Sequence, residues 1–156
     1  MNDVTTVTED AAQPATPTLE AAWEAEGFQL WPSAGEYVPA VARIFARQEA
    51  EGITFRLLAT QAHCNGGGIM HGGMLSTLAD TWLANNLLTH LPPNTRMVTA
   101  SLSVDFLRPV LPGQVLQSEM DRIRTGSRLC HATGVLLVEG EPVVAMRASF
   151  ALFSRA

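Results

Sequence analysis

The protein is 156 residues long, 47% apolar and 16% charged, with a net charge of −5. That length suits one domain, and a chain of this size buries about 68–70% of the surface its unfolded form exposes, enough for a core without disulfide or metal staples. The composition excludes disordered, collagen-like and coiled-coil proteins. The apolar runs are too short for a membrane-spanning helix, and the acidic, Thr-rich start does not read as a signal peptide. Cys64 and Cys130 have no CxxC spacing and suggest no disulfide framework. A cytoplasmic protein is expected.

The charge is unevenly distributed. Residues 1–42 hold seven acids and no base, whereas residues 43–156 carry a net +2, all of their positive charge as arginine, because the chain has no lysine. Such a body is too weakly basic to grip nucleic acid, although a few arginines could hold a small phosphorylated ligand.

In chain order, residues 1–18 have no periodicity, and a flexible tail is expected there, with one domain over 19–156. Thr18 can cap a short helix through about Glu26, with Leu19, Ala22 and Trp23 on one side and Gly27 closing it. A brief strand over Phe28–Trp31 follows. Alternation predicts strands over 41–47 and 53–60. The latter sets Ile53, Phe55, Leu57 and Ala59 against Thr54, Arg56, Leu58 and Thr60. A long helix is predicted from about Gly72 to Thr89, with Leu75, Leu78, Ala79, Trp82 and Asn86 on one face and Pro92-Pro93 beyond it. In 97–107, Val98, Ala100, Leu102, Val104 and Phe106 should face one way, and Thr99, Ser101, Ser103 and Asp105 the other. Further strands are predicted at 114–124, 128–138 and 142–153, separated by turn-like segments. One helix on one face of a curled antiparallel sheet is an α+β architecture. Its bare sheet edge favours pairing with a second copy.

The densest chemistry lies between His63 and Asp80. His63-Cys64-Asn65-Gly66-Gly67-Gly68-Ile69-Met70-His71-Gly72-Gly73 places five glycines in eleven residues, immediately before the long helix. The first N–H groups of a helix have no partner inside it and, with the dipole, suit an oxyanion or a polarised carbonyl; Gly72 or Gly73 could present such a donor without side-chain obstruction. Asp80 is a poor interior helix residue, and its own face is Gly73, Thr77, Ala84 and Leu87. A partly buried carboxylate there costs stability unless it is paired or functional. Gly72 and Asp80 are eight residues apart, about 12 Å along a helix axis, too far for both to act on one carbonyl. If both do act on it, a second subunit supplies one of them, and the site spans a dimer interface.

The pattern His63-x-Asn65-x-x-Gly68-x-x-His71-Gly72-Gly73, with Asp80 in Leu78-Ala79-Asp80, resembles the hotdog-fold acyl-CoA thioesterases of the phenylacetate-pathway (PaaI-like) type. Asp105-Phe106-Leu107-Arg108-Pro109 followed by Gly113 is similar to that family's strand and turn after the helix, so the likeness covers about residues 28–153. It implies a hotdog fold, a homodimer that pairs into a dimer of dimers, and hydrolysis of an acyl-CoA to free acid and coenzyme A. It also implies roles by position. Asp80 would be general base or nucleophile, Asn65 would place the water or substrate, the Gly72 N–H would polarise the thioester carbonyl, His71 would support the loop, and Thr99 would sit near the attacking water. No metal or redox cofactor is implied, because coenzyme A arrives with the substrate. Its phosphates would need cations, for which Arg122, Arg124 and Arg128 around one turn are candidates.

Other readings accompany these. His63 reads as a residue fixing the loop by hydrogen bonds or as a substrate contact, and Gly73 and Thr77 as lining the substrate. Two histidines with Cys64 suggest zinc, but a convincing fourth ligand is missing. Cys64 as nucleophile has no better support. The small residues Thr77 and Ala84 beside Asp80 leave room for a ring, so an aryl or medium-chain acyl group is expected. A hydratase or dehydratase acting on acyl thioesters, or a non-catalytic acyl-CoA binder, are the alternatives. The first would want a histidine paired with a carboxylate.

Overall fold

A computed structural model of the protein describes residues 18–153, so residues 1–17 of the expected tail lie outside the described residues. Thr18 accepts from the Ala21 N–H at 3.3 Å and caps helix α1 (Leu19–Ala25), which Gly27 ends at φ +90°. A two-residue strand, β1 (Gln29–Leu30), precedes a helix that the alternation did not predict, α2 (Tyr37–Val41). Pro39 lies in its first turn, where a missing N–H leaves no bond unmade, and the Ala42 N–H closes it on the Val38 carbonyl at 2.8 Å. The strand expected over 41–47 therefore begins only at Phe45, as β2 (Phe45–Glu49), and Val41 ends a helix instead.

Strand β3 (Gly52–Leu58) has the expected alternation, with Ile53, Phe55 and Leu57 buried. A 3₁₀ turn (Gln61–His63) and the glycine loop lead to helix α3 (Gly72–Leu88), whose buried face is Leu75, Leu78, Ala79, Trp82, Leu83, Asn86 and Leu87. Strands β4 (Arg96–Phe106), β5 (Val115–Arg124), β6 (Leu129–Val138) and β7 (Glu141–Phe153) complete one seven-stranded sheet in the order β1-β2-β3-β5-β6-β7-β4, every pair antiparallel. Strands β5 to β7 form the expected meander. β4 does not adjoin β5: it follows the helix to the far edge and pairs with β7 alone. The sheet curls around α3, burying Phe55 and Trp82 as stacked rings with centroids 5.5 Å apart. This is the α+β arrangement that the hotdog resemblance implies. Among the described residues no helix is long and apolar enough to cross a membrane.

Two details place the functional segment. Asn86, fully buried, accepts from the Ile53 N–H (2.8 Å) and donates to the Ile53 and Trp82 carbonyls (2.9 and 3.2 Å), clamping α3 to β3. On the opposite face of the sheet, α1 builds a second small core from Trp23, Phe28 and Phe45. The Arg56 guanidinium lies 4.1 Å from the Phe28 ring centre, and Glu26 pairs with Arg56 while Glu20 pairs with Arg43 at 2.8 Å. Part of the N-terminal acidity is thus complementary to Arg56 of β3 and to Arg43 just before β2.

Candidate functional site

The loop before α3 is held by its own hydrogen bonds. The Asn65 N–H reaches the Ile69 carbonyl (2.9 Å), the Gly68 N–H returns to the Asn65 carbonyl (3.0 Å), and Gly68 takes φ +75°, a conformation glycine adopts without strain. Asn65 Oδ1 accepts from the Gly67 N–H at 2.8 Å. Its Nδ2 has no acceptor among the described residues. His63 is engaged in the fold. Its Nδ1 accepts from the Thr60 N–H (3.1 Å), and its carbonyl accepts from the His71 N–H (2.8 Å). Burial pushes the His63 imidazole below its ordinary value of 6.5, opposed by the carbonyl of Val41. Cys64 directs its thiol at the Thr60 carbonyl (3.4 Å), not at a histidine.

His71 is the N-cap of α3. Its Nδ1 accepts from the Gly73 N–H at 2.8 Å, which puts the ring proton on Nε2, and its carbonyl accepts from the Leu75 N–H at 3.1 Å. The cap separates two glycines that looked equivalent in sequence. The Gly73 N–H is engaged, whereas the Gly72 N–H has no acceptor among the described residues. Gly72 faces a cleft of about 340 Å³ that Asn65, Leu75, Phe106, Arg108 and Val110 also line. A Cβ at Gly72 would stand 3.2 Å from the edge of the Phe106 ring, so the absence of a side chain keeps the cleft open at the amide. A helix N-terminus with an unengaged N–H, and a carboxamide N–H₂ beside it, can stabilise developing negative charge on a carbonyl oxygen.

Asp80 lies two turns further along α3, half-buried, and its Oδ1 accepts from Thr99 Oγ1 at 2.6 Å. This contact depends on a β-bulge. β4 pairs Thr99 with Phe150 and Ser101 with Ser149, so Ala100 is the extra residue. It breaks the alternation expected over 97–107. Thr99 turns to the helix side with Leu102 and Val104, while Val98 turns outward and is 50% exposed. Thr77, one turn before Asp80, donates to the Gly73 carbonyl at 3.0 Å and lies 3.3 Å from the Tyr37 hydroxyl.

Two groups of residues therefore form, Asn65 with Gly72 and Asp80 with Thr99. Neither Asp80 nor Thr99 lines the Gly72 cleft. The candidate phosphate ligands Arg122 and Arg124 lie on β5 opposite Thr133 and His131, and Arg128 in the following turn, all exposed and none in that cleft. The arginine that does line it is Arg108, paired with Glu141 at 3.1 Å. Sequence reasoning placed Arg108 in a strand-and-turn motif without a site role; its spacing from Phe106 was the available signal. Among the described residues no group of three or more His, Cys, Asp or Glu is placed to hold a metal ion.

Comparison with known proteins agrees with this architecture. Residues 67–145 match the profile described as Thioesterase superfamily. Over 121 residues, 77% of this chain and 90% of the other, the sequence is 34% identical to the Pseudomonas aeruginosa protein named "Putative esterase PA0474". The fold is similar to that of the BH2602 protein from Bacillus halodurans, solved with CoA (TM-score 0.70, 21% identity, 79% of this chain and 82% of that one). It is also similar to the E. coli PaaI protein of the phenylacetic acid degradation operon (TM-score 0.62, 23% identity, 69% and 82%). At these identities the two structures bear on the fold.

Proposed function

This chain belongs to the thioesterase superfamily and is a thioester hydrolase, and we propose that its substrate is an aryl- or medium-chain acyl-CoA, held in a site that two protomers complete. The observation that carries this reading is the unengaged Gly72 amide in a cleft at the start of α3, with a half-buried carboxylate two turns along the same helix. The eight-residue separation, about 12 Å along the axis, argues that the Asp80 of one protomer serves the Gly72 of the other. Strand β4, an eleven-residue edge paired on one side only, is the surface that favours a second copy. The CoA present in the Bacillus halodurans structure supports coenzyme A as the thiol.

In the proposed reaction the thioester oxygen accepts from the Gly72 N–H and from Asn65 Nδ2. Thr99 holds Asp80 Oδ1, leaving Oδ2 to take a proton from water as it adds to the carbonyl carbon, or to add there itself. On the water route the tetrahedral carbon expels the thiolate as the C–S bond breaks, and the sulfur takes the proton held on Asp80, giving coenzyme A and the acid; on the direct route the same C–S cleavage leaves an Asp80–acyl anhydride, which water then hydrolyses to the acid and the free carboxylate. Among the described residues Asp80 has a threonine for its partner and no histidine, which favours hydrolysis over the hydratase chemistry. The test is release of free CoA thiol from a panel of acyl-CoAs by the wild type and Asp80→Asn. The wild type should release it, and the variant should lose about a thousandfold in kcat. Tight binding without release would instead favour an acyl-CoA binder, and an active variant would remove Asp80 from the mechanism.

A further inference from the structure

We infer that Tyr37 sets the acyl-group specificity of this site, its ring forming one wall of a groove that opens one helical turn from Asp80 and favouring an aromatic acyl group. The inference rests on the acyl-CoA reading and adds the residue that meets the acyl end. It starts from α2, the helix that the sequence pattern concealed. Tyr37 opens it, and the Tyr37 hydroxyl lies 3.3 Å from Thr77 Oγ1. Thr77 precedes Asp80 by three residues on α3, a spacing that sets side chains about 5–6 Å apart on one helix face. The contact therefore places the Tyr37 hydroxyl about one helical turn from the carboxylate, with the ring behind it.

Between α2 and the first turn of α3 runs an open groove of about 540 Å³, with Tyr37, Val41, His63, Cys64, His71 and Met74 among its walls. Among the described residues no arginine, aspartate or glutamate lines it. It is thus suited to the uncharged acyl portion of a substrate and unsuited to the phosphates of CoA. Tyr37 is 65% exposed, so most of a large rigid ring is accessible from this groove. An aromatic acyl group can meet it in an edge-on or offset arrangement, and the Met74 thioether makes a further favourable contact with a ring. A straight acyl chain gains only the area term.

The test compares phenylacetyl-CoA with hexanoyl-CoA as substrates of the wild type, Tyr37→Phe, Tyr37→Leu and Tyr37→Ala. The ratio of kcat/KM for the aryl over the alkyl substrate should fall about fivefold in Tyr37→Leu and Tyr37→Ala and stay within about twofold in Tyr37→Phe, which keeps the ring. Tyr37→Leu preserves apolar bulk, so the ratio can be read even where Tyr37→Ala fails to fold. Hydrolysis by the leucine variant with an unchanged ratio overturns the inference and leaves the acyl-CoA reading intact. Absence of acyl-CoA hydrolysis by the wild type overturns both.

Discussion

Replacing Gly72 by proline tests the shared site with little disturbance of the fold. Gly72 is the first residue of α3, the helical position at which proline is favoured because its N–H has no intrahelical partner. The preceding His71 has φ −63° and ψ 133°, an extended conformation that a following proline accepts. The added carbons approach the edge of the Phe106 ring, 3.2 Å from an ideal Cβ, and that ring is 55% exposed and can swing outward. Stability should therefore change by less than about 1 kcal/mol. The substitution deletes the proposed oxyanion donor, and loss of one such donor typically lowers kcat by about 10²–10³-fold. Gly72→Pro and Asp80→Asn subunits, each inactive alone, are then co-refolded in equal amounts. Random pairing makes about half of the dimers hybrid, and each hybrid contains one site built from intact halves, so about a quarter of wild-type activity should return. Hybrids confirmed by two affinity tags, yet no more active than their parents, would show that both groups act within one protomer.

Asn86→Ala should be costly to stability, because it strips the buried Ile53 N–H and carbonyl of their side-chain partners. A loss of about 3 kcal/mol is expected, lowering the thermal midpoint by roughly 6–12 °C for a chain of this length. A loss under about 1 kcal/mol in denaturant titration would contradict the clamp. His63 carries a pH dependence. Its imidazole is held below 6.5 in the folded protein, chiefly by burial, so the unfolded chain binds its proton more readily. The His63 contribution is fully present above pH 6.5 and is lost as the pH falls below that value. Unfolding free energy measured between pH 7.5 and 5.5 should therefore decline, and His63→Asn should flatten the slope; an identical slope in the variant would dismiss burial of the neutral ring as its cause.

The loop, the long helix and Asp80 could be read directly because their signals are local. Five glycines before an apolar 3.6-residue period, with one carboxylate inside it, have few structural solutions. Thr99 is a different case. Its likeness to family members by position suggested a place near the attacking water, while strict alternation put it on the solvent side of β4. Its contact with Asp80 arises because Ala100 bulges, and a bulge leaves no mark in an alternating run of Val, Thr, Ala and Ser. Helix α2 was hidden for a related reason. Of its five residues, Tyr-Val-Pro-Ala-Val, all but the alanine are poor helix formers, and the helix touches His63 of the 3₁₀ turn through the Val41 carbonyl and Thr77 through Tyr37.

What the sequence determined by itself is the chemistry offered at each position, since backbone freedom, helix periodicity and charge are properties of short segments. Which of two adjacent glycines keeps an amide unengaged among the described residues was settled by the turn of the His71 ring, a local choice of side-chain rotamer that residue identity does not fix. Only the tertiary structure set Thr99 against Asp80, nineteen residues away in the chain. It also decided which arginine borders the cleft, because β4 crosses to the far edge of the sheet and carries Arg108 past the start of α3. Contacts between segments distant in the chain are selected by the packing of the whole core, and no window of residues contains that information.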